Sequence, residues 1–363
     1  MSQAFPADLK ALTSLRFWAA LWVLVFHYRP YLGVEAVSWG VLQKGYLAVD
    51  FFFMLSGFIL AHVYRGQLQA GAYSHGGFVL KRLARIYPMH ITTLAAFVAI
   101  GLLALAAGLH VEDPARYDWR QLPQTILLVH AWIGSGEAFN FPSWSISAEF
   151  FAYICFPLVM MLARWPRLML AAGVVAVFGW YVAAIPVAGA ASTHLDDWKL
   201  MRIMPEFLLG AGLREVMDGA RVPVLRLKHA TLASLAIVLA LAVAGAPDWV
   251  MLIALVALLV AGAERARSGV VGVLEHKVSV YLGDVSYALY MVHILVAMTF
   301  FEIVDRVIPR ATHVSIVSIG IVIVAVIVAV VTAMISDRVI ERPGRRLIVN
   351  LGKLRLGSRP KPG

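Results

Sequence analysis

Cysteine is almost absent from this sequence. Cys155 is the single cysteine among 363 residues, and it lies in an apolar stretch. One thiol excludes an internal disulfide framework and any metal site built from several cysteines. Histidine, aspartate and glutamate show no convincing metal-ligand spacing either, so we expect no metal cofactor.

Charged residues are also scarce. Asp, Glu, Lys and Arg together make up 14% of the chain, whereas hydrophobic residues make up 61%. Soluble domains usually carry about 25% charged residues, because their surfaces must be solvated. The composition therefore excludes an ordinary soluble domain and indicates an integral membrane protein.

The hydrophobic residues are grouped in long segments. A helix that crosses the hydrocarbon core needs roughly 20 mostly apolar residues. Segments of about that size lie near residues 11–29, 44–64, 78–107, 143–163, 167–188, 199–217, 228–246, 248–263, 280–303 and 313–337. We therefore expect an all-α integral membrane protein, a bundle of about ten transmembrane helices formed by a single domain over residues 1–363.

Basic residues outnumber acidic residues by 31 to 21, which gives a formal net charge of +10. If the N-terminus is cytoplasmic, most of the Lys and Arg residues fall on the cytoplasmic side, as the positive-inside rule requires. We therefore expect both termini in the cytoplasm, with a basic tail from about 338 to 363. Because the basic residues are spread over many short connections, they indicate contact with membrane lipids, and no nucleic-acid partner is expected.

The first segment contains two polar residues, Arg16 and His27. They are separated by about three helical turns, a rise of about 16 Å, and so share one face of a helix. Each residue alone has an ordinary explanation as a side chain at the membrane interface. Together on one face they indicate a polar channel.

Acidic residues occur in three further segments. Asp50 lies in "GYLAVDFFFMLSGFIL", Glu149 follows Ser145 in "PSWSISAEFFAY", and Glu206 lies in "RIMPEFLLGAG". A charge at the centre of a membrane helix costs about 2.5 to 3.5 kcal/mol on insertion scales, so it needs a partner or water. Glu149 and Glu206 have a simpler alternative role as first-turn acids that interact with the helix dipole.

Two further patterns place polar side chains on one helix face. Ser286, Tyr290 and His293 form a stripe in "DVSYALYMVH", suited either to a site or to hydrogen bonds between helices. Arg82 and Arg85 lie three apart at the inner end of the third segment. They can present two guanidinium groups to a phosphate, although positive-inside topology also explains them.

These motifs resemble, in sequence and in order, acyltransferase family 3, the membrane-bound O-acyltransferases of bacteria and some eukaryotes. Each motif is weak alone, whereas the shared order of seven motifs over nearly the whole chain is specific. The motifs are Arg16-x10-His27, "GYLAVDFFFMLSGF", "RLAR" at 82–85, "PSWSISAEFF", "PEFLLG", "SYALYMVH" and "ERP" at 341–343.

The resemblance implies an enzyme. Family members take an acyl group, by default acetyl, from cytoplasmic acyl-CoA and transfer it to a sugar hydroxyl. The acceptor is then a surface polysaccharide, a lipid-linked glycan or a related glycoside. Without a fused hydrolase-like domain, this chain is similar to the stand-alone members, and we expect a multi-pass protein of the bacterial inner membrane.

The resemblance also implies roles for individual residues. Arg16, Arg82 and Arg85 are expected to bind the CoA phosphates at the cytoplasmic mouth, and His27 is expected to be catalytic. Acceptor-binding candidates are Trp144, Ser145 and Glu206. Further catalytic candidates are Asp50, Glu149, Ser286, Tyr290 and His293.

Two mechanisms stay open at this stage. His27 is either a general base, oriented by Glu149 or Asp50, or a nucleophile that carries the acyl group itself. Tyr290, Ser286 or Ser145 is a candidate donor to the oxyanion that forms.

Two functions of other classes also stay open. Buried acids and histidines fit a proton-coupled secondary transporter, although neither paired interrupted helices nor an internal repeat is visible. An inactive sensor or scaffold would tolerate the loss of His27. Consumption of acyl-CoA separates the enzyme from both.

Overall fold

A computed structural model describes residues 5–33, 38–108, 114–133, 137–188, 199–218, 229–308 and 314–357. These residues form α-helices, short 3-10 turns and one π-helical turn, and they contain no strand. The expected all-helical class is therefore confirmed for the part of the chain that the structure describes.

Within the described residues, each of the ten apolar segments of the sequence coincides with one helix. Eight of these helical stretches are long and apolar enough to cross a membrane, whereas α6 is less apolar and α7 is shorter. The exact number of spans and the side of the termini stay predictions. The helices are α1 Lys10–Tyr28, α2 Leu47–Gln69, α3 His75–Ala106, α4 Trp144–Met160, α5 Pro166–Ala188, α6 Lys199–Met217, α7 Ala230–Val243, α8 Asp248–Ser268, α9 Lys277–Asp305 and α10 Ile316–Ser336.

Local sequence explains several of the helix ends. The Ser74 side chain accepts a hydrogen bond from the Gly77 backbone N–H at the start of α3, and Ser315 and Ser318 form a capping box at the start of α10. Both arrangements satisfy backbone donors that lack a partner inside the helix. Helix α8 stops at Gly269, whose φ of +66° is readily adopted only without a side chain.

Helix α1 packs along α9 and also contacts α2 and α8. The α2 and α6 helices approach each other closely, because Gly57 faces the backbone carbonyl of Phe207 and Gly210 faces that of Met54. Small residues allow such approaches between membrane helices, where packing replaces the hydrophobic effect. These contacts fix the relative positions of the helices that carry the polar residues.

The predicted basic tail begins as a continuation of α10. A π-helical turn, Asp337–Glu341, leads directly into α11, Arg342–Gly357. Helix α11 runs beside α3, with Gly344 against Pro88 and Gly352 against Leu80. The first part of the tail is therefore a helix packed on the bundle, and its start brings Glu341 close to α3.

The close approach of α2 and α6 predicts a difference between two glycines of the same helix. Gly57→Ala would place a Cβ against the Phe207 carbonyl oxygen, so we expect a loss of about 1 to 3 kcal/mol of stability. Gly66→Ala is the matched control, because no heavy atom lies within 4 Å of its added Cβ. Thermal unfolding of the detergent-purified variants measures both, and equal midpoints would contradict this packing.

Candidate functional site

A cavity lies between α1, α2, α3, α4 and α9. It brings together residues that are far apart in the sequence, and seven of them are among those that the motifs single out. These seven are Arg16, Arg82, Arg85, Ser145, Glu149, Ser286 and Tyr290. Apolar side chains such as Phe52, Phe53 and Ile86 form much of the remaining wall.

One end of the cavity is cationic. Within the described residues, the guanidinium groups of Arg16 and Arg82 have no hydrogen bond and no ion pair, and the buried Nε of Arg82 is unsatisfied. Arg85 differs, since it forms an ion pair with Glu341 and lies over the ring of Tyr287. Two of the three arginines are therefore available to an anion, and the third is neutralised by the π-helical turn.

Glu149 lies among these arginines. Its carboxylate accepts a hydrogen bond from the Ser56 hydroxyl at 2.6 Å. It also interacts electrostatically with Tyr153 and attracts Arg16. These contacts make Glu149 a counter-charge at the cationic end, and the expected contact with His27 is not among them.

Asp50 is part of a separate buried cluster. Its carboxylate forms a two-point ion pair with Arg202, in which Nε donates to Oδ1 at 2.9 Å. Glu206 interacts electrostatically with both members of this pair, and the Arg202 guanidinium lies 5.7 Å from the Trp144 ring. Asp50 therefore holds Arg202, and the expected orienting contact from Asp50 to His27 is not present.

Arg202 is absent from the residues that the sequence singles out, although it lies one turn before Glu206 on α6. A buried acid in an apolar helix requires a partner of opposite charge. That requirement, applied to Asp50, is the signal that would have identified Arg202.

His27 lies next to a second imidazole. Its Nδ1 is 2.9 Å from Nε2 of His293, and the two rings are stacked with their centroids 5.0 Å apart. The hydroxyl of Tyr28 donates to the backbone carbonyl of His293 at 2.8 Å. His27 and Tyr28, two adjacent residues of α1, thus both contact His293 of α9.

Three hydroxyl groups that could donate to an oxyanion already have acceptors. Ser145 and Tyr290 are 2.7 Å apart, and both lie 3.0 Å from the Pro142 carbonyl oxygen. The Ser145 and Tyr290 hydroxyls have one hydrogen each, and these two hydrogens serve three contacts. Neither hydroxyl therefore has a spare hydrogen for an oxyanion. Ser286 donates to the Gly283 carbonyl of its own helix. An oxyanion role for any of them requires a hydroxyl to rotate, and stays a prediction.

The structure offers no evident metal site in the residues it describes, since no group of three or more His, Cys, Asp or Glu side chains is placed to hold an ion. Cys155 is a free, half-buried thiol on α4.

Comparison with known proteins gives one family and three relatives. Residues 9–334 match the family described as acyltransferase domain. Acyltransferase MdmB of Streptomyces mycarofaciens is 34% identical over 164 residues, which cover 43% of this chain and 40% of that protein. Protein 2 in the picA locus of Rhizobium radiobacter is 38% identical over 109 residues, 30% of this chain and 54% of that protein.

An uncharacterized protein of Haemophilus influenzae is 27% identical over 129 residues, 32% of this chain and 49% of that protein. The chain therefore spans between 40% and 54% of the length of these relatives. No solved structure matches the chain.

The buried ion pair predicts an asymmetric response to substitution. Arg202→Gln leaves the Asp50 carboxylate without its counter-charge, so we expect a loss of about 3 to 5 kcal/mol of stability. The double variant Asp50→Asn, Arg202→Gln removes both charges and should be more stable than Arg202→Gln alone. Thermal unfolding in detergent compares them, and a double variant that is less stable than the single one would contradict the pairing.

Proposed function

The chain belongs to the acyltransferase-domain family, and from this premise we propose that it is a membrane O-acyltransferase. It moves an acyl group, by our proposal acetyl, from cytoplasmic acyl-CoA to a sugar hydroxyl. The acceptor is a surface polysaccharide, a lipid-linked glycan or a related glycoside, and the enzyme works in the bacterial inner membrane.

The observation that carries this proposal is the cationic end of the cavity. Arg16 and Arg82 have no ion pair, within the described residues, in a place where each unpaired charge is costly. Planar guanidinium groups suit the paired oxygens of phosphates. The phosphates of CoA would satisfy both arginines, and they would compete with Glu341 for Arg85.

The geometry of α1 supports a path from the donor's phosphates to the reacting group. Arg16 and His27 lie on the same helix about 16 Å apart along its axis. A slender pantetheine arm spans such a distance. The cavity continues from the arginines to Ser145 and Tyr290; His27 does not line it, and the Tyr290 ring lies 5.7 Å from that of His293, the neighbour of His27. One end of α1 would then bind the anionic carrier, while the other would meet the thioester.

The outer side of the bundle supports a sugar acceptor. Trp119 is 38% exposed and packs against Phe139, so one face of its indole can stack on a sugar ring. Trp132 is less suitable, because its indole N–H donates to the Ser147 carbonyl and its ring packs on Phe150. Phe141, whose ring lies 5.2 Å from that of His27, links this outer side to the imidazole.

The function predicts that His27 is required for transfer. With acetyl-CoA and a mixture of bacterial glycans, purified protein should release CoA at a rate that increases with glycan. His27→Ala should abolish this release, because its side chain can neither take a proton nor carry an acyl group. CoA binding measured by calorimetry should persist in His27→Ala. Full turnover by this variant, or no CoA binding by the wild type, would favour the transporter or the scaffold.

The arginine site predicts a specific effect on the donor. Arg82→Ala should raise the apparent KM for acetyl-CoA by about 10- to 100-fold, since a charge-assisted hydrogen bond contributes roughly 1.5 to 3 kcal/mol. Lys81→Ala is the matched control, because it removes the same charge from an exposed neighbour outside the cavity. Equal KM values in the two variants would show that topology alone placed Arg82.

A further inference from the structure

His293 has a fixed hydrogen position. Its Nδ1 lies 2.6 Å from the backbone carbonyl oxygen of Tyr290. A carbonyl oxygen only accepts hydrogen bonds, so Nδ1 of His293 must carry the hydrogen. His293 is 1% exposed, and within the described residues its ring contacts no carboxylate. A buried imidazolium without a counter-charge is costly, so the ring is neutral and its lone pair is on Nε2.

The lone pair of His293 determines the hydrogen position of His27. Nε2 of His293 faces Nδ1 of His27 at 2.9 Å. Because Nε2 of His293 accepts, Nδ1 of His27 must donate, and a neutral His27 then carries its lone pair on Nε2. We propose that His293 is a positioning residue, which fixes the tautomer of His27 so that Nε2 is the nitrogen that reacts. This inference rests on the proposed function.

The surrounding contacts hold both rings in this arrangement. The Tyr28 hydroxyl holds the backbone of His293 at 2.8 Å, one residue after His27 on α1. The rings of Phe26 and Phe141 pack edge-on against His27, with centroids 5.0 and 5.2 Å away. The planes of the two imidazoles differ by 28°. The His293 imidazole, itself held by a backbone carbonyl, and two aromatic rings thus define one orientation of the His27 ring.

Both mechanisms for His27 need this tautomer. In direct transfer, Nε2 takes the proton of the sugar hydroxyl while the sugar oxygen bonds to the thioester carbon. The C–S bond then breaks, and the sulfur leaves with the electron pair and receives the proton from Nε2. In the acyl-carrier route, the Nε2 lone pair bonds to the thioester carbon and the thiolate leaves. The sugar oxygen then bonds to the acyl carbon and displaces the imidazole, whose freed Nε2 takes the hydroxyl proton and passes it to the thiolate. In either route, Nδ1–H of a positively charged His27 remains bonded to His293.

The direct test compares two substitutions of similar size. His293→Gln provides a side-chain oxygen that can accept a hydrogen bond from Nδ1 of His27, whereas His293→Leu fills a similar volume but has no hydrogen-bond acceptor. We expect kcat to fall roughly 100-fold in His293→Leu, the scale of a lost acid–base contribution, and by about tenfold or less in His293→Gln. The KM for acetyl-CoA should change in neither variant, because the arginines lie elsewhere. His229→Leu, an exposed histidine at the start of α7, is the control and should be unchanged.

A second measurement does not depend on the folding of these variants. In wild-type protein with ¹⁵N-labelled histidine, the ring signal that disappears in His27→Ala but stays in His293→Gln belongs to His27, and it should show hydrogen on Nδ1 and a bare Nε2. Hydrogen on Nε2 of His27 would overturn the proposal, as would wild-type kcat in His293→Leu or equal losses in the Leu and Gln variants. These failures are distinct from failure of the proposed function, which would appear as normal transfer by His27→Ala.

Discussion

The organisation of this bundle depends on one constraint: a charge inside an apolar helix bundle must have a partner. Asp50 is paired with Arg202, Asp248 with Lys44 and Tyr46, and Arg85 with Glu341. Each pair joins helices or connections that are distant in sequence, and breaking one would leave a buried charge uncompensated. The pairs therefore act as cross-links that determine which helices are neighbours.

Against this background, Arg16 and Arg82 are distinctive. Both line the cavity, and within the described residues neither forms an ion pair. Fully buried cations such as Lys44 and Arg202 are neutralised by carboxylates. Arg16 and Arg82 are half-buried and face the cavity, so these two guanidinium groups indicate a site for an anion that comes from outside the chain. Glu149, held by Ser56, reduces their mutual repulsion without occupying their donors.

The helices separate two kinds of chemistry along one axis. Cations gather near the cytoplasmic ends of α1 and α3, by the predicted topology, and the two imidazoles lie further along α1 and α9. Close packing of α1 on α9 is what places His27 against His293, because Gly283 of α9 leaves no gap to the Thr13 backbone. Close packing at Gly283 thus helps to set the geometry of the His27–His293 pair, about three turns further along α9.

The sequence by itself determined the membrane class, the approximate positions of the helices in the ten apolar segments and seven polar residues of the cavity wall, because apolar length and polar interruptions are local properties of a chain. Order along one helix also determined that Arg16 and His27 share a face. Only the tertiary structure decided which residues these polar side chains contact. Asp50 pairs with Arg202, and His27 meets His293 where the sequence favoured Asp50 or Glu149. Hydrophobic periodicity does not specify which helices are adjacent or how they are rotated, and contacts between helices depend on both.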